Sequence, residues 1–142
     1  MIDHVIEHIL VPYDGSPSAK KAFLFALDFS KKYNSRITIL SIAHYPESTS
    51  DIDVDTVLEI EKGKIGTLFK TLKERAEIEN VDPEFVIKVG KPAEQIISYA
   101  MENKIDHIVM GHENNKVITQ LLIGSVAKHI IDNCTCGITI IP

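Results

Sequence analysis

The residues with the clearest chemical potential lie between Val109 and Val126, in the stretch VMGHENNKVITQLLIGSV. A short apolar run leads to Gly111, a polar loop follows, and Gly124 and Ser125 open a final amphipathic segment. A glycine at a strand end and another at a helix start can present main-chain N–H groups to an anion, and the helix dipole adds to the attraction. The stretch therefore indicates a phosphate site. The alternative is that Gly124 only lets the helix pack closely against a sheet.

Asp14 is the second candidate. It follows the apolar run His8–Tyr13 and precedes Ser16 and Pro17, which together are typical of a helix start. A carboxylate in this position can accept a hydrogen bond from a ribose hydroxyl or bind a magnesium ion. It can also simply accept hydrogen bonds from the backbone of the following turn. The local sequence leaves both roles open.

Six histidines raise the question of acid–base catalysis, and His112, next to Gly111, is the best placed of them. No nucleophile, base and acid form a recognisable constellation, so surface or capping roles are favoured. The phosphate-loop patterns G-x-x-x-x-G-K-[ST] and G-x-G-x-x-G are both missing from the sequence. The third apolar run ends in Val89 and Gly90, without the aspartate that a phospho-receiver domain needs. The sequence therefore does not predict an enzyme.

Composition excludes some partners. The 142 residues include 15 Lys and Arg against 20 Asp and Glu, a net charge of −5. This acidic balance argues against nucleic acid and against anionic membranes as partners, because both need a basic surface. The charged N-terminus does not resemble a signal peptide, and no apolar run approaches the ~18 residues of a membrane span. We therefore expect a cytoplasmic protein.

The two cysteines, Cys134 and Cys136, are separated by one residue. Two cysteines are too few for a disulfide framework, and a C-x-C metal site would need further ligands that do not follow it. In a reducing compartment we expect two reduced thiols beside the last strand.

Hydrophobic patterning predicts nine alternating elements. Continuous apolar runs, typical of buried parallel strands, occupy His8–Tyr13, Arg36–Ala43, Phe85–Val89, Ile105–Met110 and Ile138–Ile141. Helical spacing extends from Pro17 to about Tyr33, from a cap at Asp55 or Thr56 to about Glu79, from Pro92 to Asn103, and from Ile118 or Ser125 to Asn133. This order predicts one α/β domain, residues 1–142, with a parallel sheet covered on both faces by helices.

Ligands of an open parallel sheet bind beyond the carboxyl ends of its strands. The predicted strand ends are Pro12–Gly15, Ile42–His44, Gly90 and Met110–Asn115. The last strand is apolar and is expected at an edge, where an unpaired strand favours a partner chain. The alternative is that one of the chain's own helices covers this edge.

The chain resembles the universal stress protein family over its whole length. The similar segments are ILVPYDGSPSAKKAF, GKPAEQI, DHIVMG and LLIGSVAKHII. The family's nucleotide-binding pattern is G-x-x-G, nine residues, then G-[ST]. Gly111 matches its first glycine, Gly124 and Ser125 match its end with the correct spacing, and Asn114 occupies the position of the second glycine.

The resemblance implies a doubly wound, five-stranded parallel sheet of order 3-2-1-4-5 with helices on both faces. It also implies a homodimer formed through Ile138–Ile141 and, as in many members, ATP with Mg²⁺. At most slow ATP hydrolysis, assisted by a metal on Asp14, would accompany binding. The implied roles are ribose or metal binding by Asp14, adenine recognition by the Ile42 backbone, lining by Pro12 and Met110, and ribose and phosphate contacts by Gly111, Gly124, Ser125 and Val126.

Asn114 leaves two functions open. Asn tolerates positive φ, so the loop can still turn there, but its side chain fills space that glycine leaves for a phosphate. Glu113 adds negative charge, which Lys116 can compensate, so Asn114 and Lys116 belong to the predicted site. The first function is a stress-response regulator that binds ATP. The second is a nucleotide-free, dimeric interaction module of the same family.

Overall fold

Five parallel strands form one sheet in the order β3-β2-β1-β4-β5, in a computed structural model that describes residues 6–45, 53–112 and 124–142. The strands are β1 (His8–Pro12), β2 (Arg36–Ala43), β3 (Glu84–Val89), β4 (His107–Gly111) and β5 (Gly137–Ile141). The helices between them are α1 (Pro17–Tyr33), α2 (Val54–Ile78), α3 (Pro92–Glu102) and α4 (Ser125–Asn133). The predicted α/β architecture and strand order are confirmed.

The core lies on both faces of the central strand β1. Ile9, Leu10 and Val11 are at most 1% exposed, because β2 and β4 flank the strand and helices cover it above and below. Side chains alternate across a strand, so Ile9 and Val11 pack with α1 and α2, whereas Leu10 packs with α3 and α4. This explains why β1 is a continuous apolar run rather than an alternating one.

The start of α2 differs from the prediction. Asp53, and not Asp55 or Thr56, is the N-cap, and its side chain accepts a hydrogen bond from the Asp55 N–H at 3.1 Å. All three residues can cap a helix, so spacing alone does not select among them.

The start of β4 also differs from the prediction, because the strand begins at His107 and not at Ile105. The Ile105 N–H donates to the Ala100 carbonyl and so closes the end of α3. The Asp106 carboxylate accepts hydrogen bonds from the N–H groups of two residues at the start of β1, at 3.0 and 2.8 Å. Ile105 is buried as predicted, but it packs at a helix end.

Other differences are small. β1 ends at Pro12, one residue earlier than predicted, and β3 and β5 each begin one residue earlier, at Glu84 and Gly137. Ile131, predicted on the apolar face of α4, is 41% exposed. The buried stripe of α4 is narrower than predicted.

The helices of the described ranges include none with the length and apolar character that crossing a membrane requires.

Candidate functional site

A cavity of about 490 Å³ opens at the carboxyl ends of β1, β2 and β4. The turn from β1 into α1 forms one side, the middle of α2 forms another, and the start of α4 closes a third. This is the edge at which open parallel sheets bind ligands. A second cavity, of about 620 Å³, lies at the amino-terminal ends of β2 and β3, between polar turns that include Asn34 and Asn80. Its position does not match that rule.

The structure brings most of the predicted site residues to the first cavity. Those that line it are Pro12, Asp14, Ile42, Met110, Gly111, Gly124 and Val126. Ser125 is exposed at the first position of α4 and does not line it. Asn114 and Lys116 lie outside the described residues.

The main chain of Ile42 faces the cavity. Pairing of β1 with β2 ends at Pro12 and Leu40, and the Tyr13 N–H donates to the Leu40 carbonyl at 2.9 Å. On the other side of β2, the Ala43 carbonyl accepts a hydrogen bond from the N–H of Gly90, the residue that follows β3. Backbone groups alternate in direction along a strand, so the N–H and C=O of Ile42 point to the side on which β1 has already ended. The cavity thus meets one main-chain donor and one main-chain acceptor.

Asp14 already has one structural role. Its Oδ1 accepts a hydrogen bond from the Ser16 N–H at 2.9 Å, so the carboxylate stabilises the turn into α1. The side chain is exposed and lines the cavity, which leaves Oδ2 to face a ligand. The two roles that the sequence left open are therefore compatible. Burial, followed by the charge of Asp14, raises the pKa of Tyr13, so this phenol stays neutral at physiological pH.

The start of α4 supplies further main-chain donors. Gly124 is the N-cap, and it has no side chain with which to cap the helix. The first N–H groups of a helix have no partner within the helix, and the helix dipole makes this end attractive to anions. Gly124 and Val126 both line the cavity. This end can therefore meet a phosphate group.

Gly111 is held against the first turn of α1. A Cβ added there would lie 2.5 Å from the backbone N of Ala19 and from the backbone carbonyl carbon of Ser18. Real side chains never approach backbone atoms so closely, so only glycine fits. This close approach gives Gly111 a packing role that the sequence pattern alone did not reveal.

Sequence reasoning missed the contribution of α2. Glu61, Lys64 and Leu68 line the cavity, and a Glu61 carboxylate oxygen accepts a hydrogen bond from the His44 N–H at 3.3 Å. The three residues follow one another at intervals of three and four positions, so they share one face of α2. Ser16 and Ser18 of the α1 turn also line the cavity, with their hydroxyl oxygens 3.3 Å apart.

Three of the histidines, His8, His107 and His112, do not line the cavity. His112 is 3% exposed, is not one of the residues that line the cavity, and makes no side-chain hydrogen bond to any described residue. His8 and His107 each contact a threonine hydroxyl at 2.7 Å, Thr38 and Thr139 respectively. Burial lowers the pKa of both imidazoles. Across the described ranges, no three His, Cys, Asp or Glu side chains are grouped to hold a metal.

Comparison with known proteins identifies the family to which the chain belongs. The model of the universal stress protein family matches residues 6–142, and the chain belongs to this family. It is similar to universal stress protein MJ0531 of Methanocaldococcus jannaschii, with 25% identity over 98% of this chain and 84% of the relative. The solved structure of universal stress protein UspA from Lactobacillus plantarum has a TM-score of 0.87 at 22% identity, covering 99% of this chain and 100% of that one.

Some similar structures contain nucleotides. A universal stress protein in complex with cAMP has a TM-score of 0.75 at 24% identity, covering 97% of this chain and 98% of that one. A family protein from Arabidopsis thaliana with AMP bound has a TM-score of 0.69 at 18% identity, covering 95% of this chain and 90% of that one. A protein from Archaeoglobus fulgidus was solved with dAMP. At these identities the likeness establishes the shared fold.

The contact at Gly111 generates a stability prediction. Gly111→Ala is expected to lower the free energy of unfolding by about 1–3 kcal/mol, because the added methyl group meets backbone atoms that cannot rotate away. Urea denaturation measures the change. The matched control is Gly66→Ala in α2, where a Cβ meets nothing within 4 Å. That substitution is expected to raise the free energy of unfolding by about 0.5–1 kcal/mol. Equal effects at the two positions would contradict the packing role of Gly111.

Proposed function

We propose that this protein is a stress-response regulatory protein that binds an adenine nucleotide, with ATP as the expected form, in the cavity at the ends of β1 and β4. The observation that carries the proposal is the main chain of Ile42, whose N–H and C=O face the cavity where β1 has ended. The edge of adenine carries an amino donor next to a ring-nitrogen acceptor. One donor and one acceptor on a single residue complement that edge.

The remaining walls suit the other parts of a nucleotide. Pro12, Leu40 and Met110 are apolar and line the same cavity as Ile42, and a purine ring needs such dry contacts. Oδ2 of Asp14 can accept a hydrogen bond from a ribose hydroxyl. The N–H groups at the start of α4 can bind phosphate oxygens. The AMP, cAMP and dAMP in similar structures support the assignment to adenine nucleotides.

The charge of the cavity limits how a triphosphate can be held. The charged side chains among its described lining are Asp14 and Glu61, which are acidic, and Lys64, which is basic. A triphosphate would therefore depend on main-chain N–H groups and on Lys64, with Lys116 as the further cation that the sequence predicts. Mg²⁺ typically binds through one or two carboxylates together with phosphate oxygens, so Asp14 fits as its protein ligand only when the nucleotide is present. Bound Mg²⁺ would neutralise phosphate charge.

The same acidic balance favours a second candidate function, a nucleotide-free interaction module. Glu113 adds a further negative charge to the loop, and the Asn114 carboxamide replaces a glycine of the family pattern. In this alternative the protein acts through contacts between its surface and a partner protein, and it binds no nucleotide. The affinity for nucleotides distinguishes the two functions.

We also propose that β5 pairs with β5 of a second copy to form a homodimer. The Gly137 N–H and the Ile141 carbonyl both bond toward β4. By alternation, the N–H groups of Ile138 and Ile140 point away from the sheet, where they can pair with another strand. Such an edge is partly apolar and therefore favours association.

The adenine-nucleotide proposal predicts the effect of a charge removal. Asp14→Asn keeps an oxygen for the Ser16 N–H but removes the carboxylate charge, so ATP affinity in the presence of Mg²⁺ should fall about 10- to 100-fold. Isothermal titration calorimetry with ATP, AMP and cAMP measures this. The matched control, Asp28→Asn, lies on the exposed side of α1 and should leave affinity unchanged. Wild-type protein that binds none of the three nucleotides at millimolar concentration would support the interaction module instead.

Asn114 generates a second prediction. Asn114→Gly should strengthen ATP binding by about tenfold, or about 1.4 kcal/mol, because it restores the second glycine of the family's nucleotide-binding pattern. Calorimetry with ATP and with adenosine separates the phosphate contribution, since adenosine affinity should stay the same. An unchanged ATP affinity would show that this position does not limit binding.

The dimer proposal is tested by two substitutions that remove the same side chain. Ile140→Ala deletes side-chain packing but keeps the outward N–H, whereas Ile140→Pro deletes both. Light scattering at micromolar concentration should find dimers for the wild type and Ile140→Ala and monomers for Ile140→Pro. Circular dichroism checks that both variants remain folded. A monomeric wild type, or a dimeric and folded Ile140→Pro, would overturn the proposal.

A further inference from the structure

The two cysteine side chains meet at the junction of α4 and β5. Cys134 is the C-cap of α4, where its N–H donates to the Ile130 carbonyl at 2.8 Å. Cys136 directly precedes β5. Both thiols are free and half-buried, and their sulfur atoms form a hydrogen bond at 2.8 Å. A disulfide bond has a length of about 2.05 Å, so only a short approach separates the two sulfurs from bonding.

The local backbone explains this contact. Cys134 has extended dihedral angles, φ −97° and ψ 142°. In extended chain, residues two apart project to the same side, so Thr135 points away while the two thiols share one side. Both cysteines pack against the core cluster that includes Ile130 and Ile105. The helix end and the start of the edge strand therefore hold the two sulfurs together.

We propose that Cys134 and Cys136 form a redox-active dithiol that is converted to an intramolecular disulfide by exchange with a low-molecular-weight disulfide. The dithiol is formed by the last turn of α4 and the start of β5, whereas the cavity contacts only the first turn of α4. The inference is independent of nucleotide binding. It agrees with the expectation of reduced thiols in the cytoplasm, where disulfides in most proteins are transient or sensory.

The chemistry is two successive exchanges. The Cys134 thiolate attacks one sulfur of a small disulfide RSSR, which breaks the S–S bond and releases RS⁻, and RS⁻ takes up the proton that Cys134 lost. The Cys136 thiol then loses its proton and attacks Sγ of Cys134, forming the protein disulfide and releasing a second RSH. Overall, two protein thiols are oxidised and one RSSR is reduced to two RSH.

The surroundings assign the order of attack. Burial, the hydrogen bond that the Cys136 thiol donates to Cys134, and the negative charges of Cys134 and Asp106 disfavour the thiolate form of Cys136, and its pKa is raised to about 12. The thiolate is the nucleophile, so Cys136 reacts slowly with an external disulfide. Cys134 therefore attacks first and Cys136 resolves. In the described parts of the chain, no third metal-ligating side chain joins the two sulfurs, so exchange chemistry fits this pair better than a metal site.

The experiment treats the full, folded chain with oxidised glutathione and counts free thiols with Ellman's reagent, followed by intact-mass spectrometry. The wild type should lose both thiols and two hydrogen atoms of mass, with no bound glutathione. Cys136→Ser should stop at the mixed disulfide, with one glutathione attached at Cys134. Cys134→Ser should react at least about tenfold more slowly, because only the protonated Cys136 remains.

A second measurement tests the proximity of the thiols without oxidation. Phenylarsine oxide forms two As–S bonds to neighbouring thiols and releases one water, so the wild type should capture one equivalent and both single serine variants should lose tight capture. Capture by the wild type together with the intramolecular disulfide supports the proposal. Two thiols that persist after glutathione treatment, glutathione left attached to both cysteines, or disulfides formed only between chains would overturn it.

Discussion

The end of β4 lies directly against the first turn of α1, where the missing side chain of Gly111 lets the strand approach the backbone of Ser18 and Ala19. This contact joins two segments that are distant in sequence, and it holds the end of β4 against the start of α1. The cavity lies where β4 ends, between α1 on one face of the sheet and the start of α4 on the other. A larger residue would separate the strand from the helix and alter both walls of the cavity at once.

The candidate site relies on main-chain groups more than on side chains. Ile42 contributes its N–H and C=O, and α4 contributes the N–H groups of its first turn. Main-chain groups are positioned by strand register and helix boundaries, so the identity of the local side chains matters little to them. The fold can therefore be shared at low identity, as it is with the UspA structure at 22%.

The sequence predicted the fold class well because a parallel sheet covered on both faces produces continuous apolar runs. The strand order followed from family resemblance, since apolar runs do not specify which strands are neighbours. The β4 boundary was wrong because Ile105 is buried at a helix end, which periodicity cannot distinguish from a strand. Glu61 and Lys64 were missed because a solvent-exposed helix face carries many charged residues, and only the fold selects those that reach the cavity. Asn114 lies outside the described residues and stays a prediction.

The central position of β1 also determines the order in which the chain can assemble during synthesis. The N–H groups at the start of β1 bond to the carboxylate of Asp106, which lies 98 residues after His8. A ribosome adds about 5–20 residues each second, so the amino-terminal strands wait about 5–20 s for β4 to be made. During this interval the edge of β1 that will face β4 is unpaired and apolar. The nascent chain therefore passes through a stage in which it is vulnerable to aggregation, and shielding by a chaperone would matter most at that stage.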